Sequence, residues 1–173
     1  CADTSADFIV TVNPQPTVLT SPVTACGTAD LTAPAVTTGS TGGLTFTYFT
    51  DAGATITLAT PAAVTTSGTY YIVGDDGACT DTASVAVTVT PQPSEVTTAG
   101  GPLSFCAGGS VLLSETSATG ATYRWQTGGV DNGTTTASYS ANTSGTYRVI
   151  IENGVCADTS ADFIVTVNPQ PTV

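Results

Sequence analysis

Residues 145–171 read GTYRVIIENGVCADTSADFIVTVNPQP. Apolar Tyr147, Val149 and Ile151 alternate with Arg148 and Glu152, a period of two that belongs to a half-buried strand. Asn153-Gly154 then interrupts, and alternation resumes through Phe163, Val165 and Val167. Asn-Gly between two alternating runs is the strongest short hairpin signal. The pattern predicts strands over 145–152 and 155–167. Pro169-Gln170-Pro171 ends the second, because proline donates no ladder hydrogen bond and holds its predecessor extended.

The same arrangement stands earlier in the chain. Asp76-Gly77 separates alternating runs at 68–73 and 78–90, and Pro91-Gln92-Pro93 follows. Further strands are expected at 95–98, 110–114, 121–126 and 134–139, and at 17–20, 31–32, 44–50 and 55–59. No helical period persists. Short alternating strands with turns every 8–12 residues indicate β-sandwiches.

A repeat organises these strands. Residues 1–18 and 156–173 are both CADTSADFIVTVNPQPTV, identical at a spacing of 155 residues. This reads either as part of a long tandem array or as one duplicated segment, and the array is the expectation. Pro-Gln-Pro recurs at 14–16, 91–93 and 169–171, dividing the period into two halves. Ser67-Gly68-Thr69-Tyr70 and Ser144-Gly145-Thr146-Tyr147 each stand 53 residues after the first proline of their half. The expected organisation is residues 1–13 as the last strand of a preceding domain, 14–90 and 91–168 as two sandwiches, and 169–173 as the start of the next. The Pro-Gln-Pro segments are stiff linkers between them.

Composition narrows the function. Charged residues make up 9% of the chain, with 13 Asp+Glu against 2 Lys+Arg, a net charge of −11. Both basic residues are arginine, and there is no His. Ser-His-Asp and Cys-His catalysis, a His metal ligand, a Schiff base and a P-loop all lack a required residue. Nucleic acid is a poor partner for so acidic a chain. No apolar run approaches the ~20 residues of a membrane span. An enzyme is not expected.

Gly68-Thr69-Tyr70 and Gly145-Thr146-Tyr147, each opening a late strand, resemble the tyrosine corner of immunoglobulin-like domains. Trp125 stands on the third strand of the second half, where that fold buries a Trp. Two residues after each corner Tyr the antibody pattern has Cys, whereas Ile72 and Val149 stand here. The run Cys106-Ala-Gly-Gly-Ser-Val-Leu-Leu, then Gly-Thr-Tyr, then Asn153-Gly-Val-Cys156-Ala-Asp-Thr, resembles Ig-like (PKD-like) tandem repeats of giant surface adhesins in the Bacteroidota. Those adhesins leave the cell by type IX secretion. They include gliding-motility adhesins and the grappling-hook filaments of predatory marine bacteria. The resemblance implies tandem Ig-like sandwiches with one disulfide per domain.

Five cysteines are read in that frame. Cys26 with Cys79 and Cys106 with Cys156 are the expected pairs, 53 and 50 residues apart. Free buried thiols are the alternative. Cys1 copies Cys156, so its partner is expected outside these residues. Disulfides imply an oxidising, extracellular or cell-surface setting.

Other residues invite site readings. Asp75-Asp76-Gly77 can contribute to a Ca²⁺ site, although it also suits a plain turn, and no cofactor is otherwise implied. Asp158 and Asp162 are expected on one solvated strand face, as are their copies Asp3 and Asp7. Asp81-Thr82-Ala83 matches an O-glycosylation motif of Bacteroidota secreted proteins, with Thr82 as acceptor. Trp125, Tyr123 and Tyr147 are expected in the core rather than on a sugar-binding platform.

The functional expectation is the structural repeat of a long extracellular fibre or stalk for adhesion or attachment. Its partners would be copies of itself in a fibre or bundle, and a cell surface or glycan at a distant tip. The rival readings are a glycan-binding repeat and a surface-layer or sheath subunit.

Overall fold

The computed structural model describes residues 7, 9–94, 96–116 and 120–171. These form thirteen strands: β1 (Val23–Cys26), β2 (Thr45–Phe49), β3 (Gly68–Asp75), β4 (Thr80–Thr90), β5 (Thr97–Ala99), β6 (Ser104–Cys106), β7 (Val111–Glu115), β8 (Thr122–Thr127), β9 (Val130–Asp131), β10 (Ser138–Ala141), β11 (Gly145–Asn153), β12 (Cys156–Thr159) and β13 (Phe163–Asn168). The one helical element among the described residues is the 3-10 turn Pro34–Thr37. The fold is all-β.

Two compact units divide the chain. The first comprises Cys1–Val23 and Thr28–Thr88, the second Thr24–Gly27 and Val89–Val173. The four residues Thr24–Gly27 thus belong to the second unit although first-unit residues flank them.

In the second unit a three-stranded sheet, β10-β7-β5, faces a larger sheet ordered β6-β13-β11-β8-β9, with β12 also on β11. Val111, Leu113 and Ala141 of the small sheet meet Trp125, Tyr147, Val149, Ile151 and Val165 of the large one in a single buried cluster. β11 carries the alternation read from the sequence: Tyr147, Val149 and Ile151 are buried and their neighbours are not. β13 runs antiparallel to β11 and parallel to β6.

The first unit is built on β2, β3 and the body of β4, paired in the order β4-β3-β2. Its buried side chains include Val18, Leu31, Val36, Tyr70, Ile72, Val85 and Val87. The segments at 17–20, 31–32 and 55–59, expected as strands, are irregular. In the first of these, side chains supply the bonds: the Val18 N–H donates to Asp81 Oδ2 at 2.7 Å, and the Leu19 N–H to Ser40 Oγ at 2.9 Å.

Two strands of the second unit also depart from expectation. Residues 134–137 are not a strand, because this segment wraps Trp125. Thr134 O accepts from the Trp125 backbone N–H at 3.1 Å and Thr136 O from the indole Nε1–H at 2.9 Å. The strand expected over 155–167 is broken between β12 and β13. Asp158 therefore lies on β12 and Asp162 in the break itself, rather than along one strand face. Asp7, the copy of Asp162, is exposed; Asp3 lies outside the described residues.

Candidate functional site

Both late tyrosines hold the chain that leads into their strand. Tyr70 donates its hydroxyl to Thr66 O at 2.9 Å, and Tyr147 to Thr143 O at 3.0 Å. Each bond reaches back four residues, the geometry of a tyrosine corner. Tyr147 is fully buried and its hydroxyl also lies 2.8 Å from Thr143 Oγ1. Tyr139 bridges it to Trp125, with ring centroids 5.4 Å and 5.7 Å apart. Trp125 lies opposite Val149, and Tyr123 packs against the same core. The exposed large hydrophobic side chains among the described residues are all aliphatic.

The cysteines correct the pairing expected from sequence. Cys26 is bonded to Cys156, with Cα atoms 5.2 Å apart and 130 residues between them in the chain. Cys79 and Cys106 are free thiols, the first half-buried and the second exposed. The reason is strand length. Cys79 directly precedes β4, whereas Gly27, next to Cys26, donates its N–H to Thr90 O at the far end of β4. Eleven residues of continuous strand span ~35 Å. Likewise Cys106 faces Asn168 at the end of β13, twelve residues beyond Cys156. A disulfide needs Cα atoms within about 7 Å, so the 26–79 and 106–156 pairs sit at opposite strand ends. Cys1 lies outside the described residues.

The bonded pair is framed by two turns. Gly154, at φ 62°, lets β11 and β12 join through a two-residue turn that delivers Cys156 opposite Asn153. Gly27, at φ 71°, turns the chain away after Cys26 while its N–H closes on Thr90 O at 2.9 Å. Thr90 is the residue before Pro91. Along the chain, the disulfide therefore connects residues on either side of the Pro91-Gln92-Pro93 segment.

Both arginines lie on the outer face of the β8–β11 ladder. Arg124 pairs with Asp131 at 3.0 Å and Glu152 at 2.8 Å. Gln126 donates to Asp131 at 2.8 Å and accepts from Arg148 Nε at 2.7 Å. The Gln126 bond and the Arg124 guanidinium hold the Asp131 carboxyl below its ordinary value. The chain's few cations are thus committed to one network of its own side chains.

The carboxylates near 75–76 serve their own turn. Asp75 accepts the Gly77 N–H at 2.7 Å, and Asp76 accepts those of Cys79 at 2.7 Å and Ala78 at 2.8 Å. These bonds, Cys79 first, lower the Asp76 pKa. No group of three or more His, Cys, Asp or Glu side chains among the described residues is placed to hold a metal ion. Thr82 lies on β4 opposite Val73 with its side chain exposed. No helix among the described residues is long and apolar enough to cross a membrane.

No protein-family model matches this chain, and no curated protein matches it. Solved structures do. Extracellular domains 3–5 of Drosophila OTK superpose with a TM-score of 0.52 at 16% identity, over 90% of this chain and 61% of that one. The titin I-band fragment I67–I69 gives 0.47 at 11% identity, over 91% and 67%. The N-terminal four Ig domains of Dscam1 isoform 6.9 give 0.41 at 14% identity, over 89% and 46%. The chain spans about three-fifths of the OTK fragment it matches. At 16% identity the likeness to the OTK domains is one of fold: an Ig-like β-sandwich architecture.

Proposed function

We propose that this chain is a segment of a tandem array of Ig-like sandwiches, joined by Pro-Gln-Pro linkers, forming an extracellular fibre or stalk for attachment. One observation carries the reading. Among the described residues, the two copies of CADTSADFIVTVNPQPTV bury different positions. In the second copy Val165 is 2% exposed within β13, while its counterpart Val10 in the first is 84% exposed. In the first copy Pro16 and Val18 are buried, while Pro171, the counterpart of Pro16, is exposed. An identical sequence that buries its tenth position in one copy and its sixteenth in the other suits a junction between sandwiches. A continuous array packs both halves of every copy.

The array reading keeps the boundaries 1–13, 14–90, 91–168 and 169–173. It gives the chain a mechanical role, with linkers limiting bending between sandwiches. Cell-surface display, with type IX secretion as the export route, follows from the resemblance of its repeats to adhesins. Attachment to a surface or glycan then resides at a tip built from other sequence. Thr82, exposed on β4, remains the candidate for O-glycosylation.

The test is electron cryomicroscopy of native material with its axial repeat measured. An array of two sandwiches per period gives a repeat of roughly 80 Å with density continuous through the linkers. Density that breaks at each 173-residue chain, with residues 1–12 inserted into another subunit, would replace the array with a polymer of short chains. Sheets rather than fibres would favour the surface-layer reading.

A further inference from the structure

Cys26 and Cys106 hold the same place in the fold. Each ends a short strand, and the residue after each donates its N–H to the last residue before a Pro-Gln-Pro segment. Gly27 donates to Thr90 at 2.9 Å and Ala107 to Asn168 at 2.8 Å. Cys79 and Cys156 are equivalent too. Each follows a positive-φ glycine by two residues in a hairpin turn, Gly77 at 90° and Gly154 at 62°. In each turn the cysteine closes on the residue three before it, Asp76 or Asn153. The observed bond joins the first kind of cysteine to the second kind that follows the next Pro-Gln-Pro segment.

We propose that the exposed thiol of Cys106 bonds to Cys79 of the next copy of this repeat, and that Cys79 here bonds to Cys106 of the preceding copy. The rule that pairs Cys26 with Cys156 across Pro91-Gln92-Pro93 then also pairs Cys106 with Cys79 across Pro169-Gln170-Pro171. Cys1, the copy of Cys156, takes Cys26 of the preceding copy. All five cysteines find a place, and every linker is bypassed by a covalent bond. Tension along the array then runs through a disulfide beside each linker. In forming each bond two thiols give up two protons and two electrons. The S–S bond forms as a low-molecular-weight disulfide oxidant is reduced to two thiols.

This pairing rests on the array reading, but the two fail separately: the axial repeat tests the array and linkage mapping tests the bond. The experiment uses the whole chain extended by one period, with residues 19–173 repeated after Val173. Cys79→Ser is placed in the first copy and Cys106→Ser in the second. The mirrored variant carries Cys106→Ser in the first and Cys79→Ser in the second. Both are oxidised with glutathione disulfide, alkylated, digested without reduction and mapped by mass spectrometry. The expected result is a Cys106–Cys79 linked peptide in the first variant, with Cys26–Cys156 linked in each copy. In the mirrored variant Cys79 of the first copy and Cys106 of the second are alkylated, and Cys1, which has no preceding copy here, is alkylated in both variants. Alkylation of Cys106 of the first copy and Cys79 of the second in the first variant overturns the proposal, as do Cys26–Cys79 or Cys106–Cys156 links in either.

Discussion

Ser160 takes over a ladder position of Val149. Its Oγ accepts the Val149 N–H at 3.0 Å while its own N–H donates to Val149 O at 2.9 Å. A buried serine thereby keeps β11 bonded where β12 has ended and β13 has not begun. The equivalent stretch of the first unit is the unbroken β4, paired with β3 from Thr80 to Val87.

Ser160→Ala leaves a buried N–H without its acceptor. The expected cost is about 1–3 kcal/mol, read as a lower urea midpoint for the second unit. An unchanged midpoint would mean that the break tolerates water at this position and that the hydroxyl has no structural role.

The two tyrosine corners should differ in worth. Tyr147 is fully buried with two oxygen partners, whereas Tyr70 keeps 9% exposure and donates to Thr66 O. Tyr147→Phe is therefore expected to cost about 1–2 kcal/mol and Tyr70→Phe less. Equal shifts in thermal midpoint, or a larger one for Tyr70→Phe, would count against the corner as the source.

Gly74 on β3 is a packing requirement. A methyl there would come within 2.6 Å of Val18 Cγ2 and 2.8 Å of Leu44 Cδ1. Gly74→Ala should destabilise the first unit by about 1–3 kcal/mol through overpacking. Calorimetry resolving the two units checks this, and a shift confined to the second unit would contradict it.

Acid should weaken the loops. Asp51 accepts the Ile56 and Thr55 N–H groups at 2.7 Å and 3.0 Å, and its carboxyl is lowered chiefly by the Ile56 bond. Asp76 and Asp131 are lowered as well, by Cys79 and Gln126 first. A carboxyl lowered in the folded state contributes stability present above its unfolded pKa of about 4 and lost as pH falls through its folded value. Unfolding midpoints should hold from pH 7 to about pH 4 and decline below, with a shallower decline for Asp51→Asn. A flat profile down to pH 2 would show these bonds to be without net effect.

Side-by-side association should depend on salt. The 155-residue period carries −9, the chain's −11 less the two carboxylates duplicated in its terminal 18 residues. At seawater-like ionic strength the Debye length is about 4–5 Å, so the proposed fibres would scarcely sense each other's charge. Light scattering during dialysis into deionised buffer should report dispersal, and bundles that persist would refute the prediction.

Much of the second unit was legible because its signals are local. Asn153-Gly154, the β11 alternation and Gly145-Thr146-Tyr147 each fix geometry within a few residues. The break at Ser160 was not, since alternation continues on both sides and only the serine's burial marks it. Around 17–20, Thr and Val look like strand residues whether the backbone bonds to a ladder or, as here, to Asp81, Ser40 and Thr41 side chains. Cysteine spacing matched two corresponding pairs but said nothing of which strand end each occupied, and strand length decides the bond.

The sheet margins carry a last consequence. The outermost strands are β1 and β2, β5 and β10, and β6 and β9, none longer than five residues. The long strands β4 and β11 lie between neighbours on both sides. Identical domains strung on one thread meet at very high local concentration, where a long open margin would invite a neighbour to add its own strand. Margins this short offer little template, so such domains can stand crowded together and still fold one at a time.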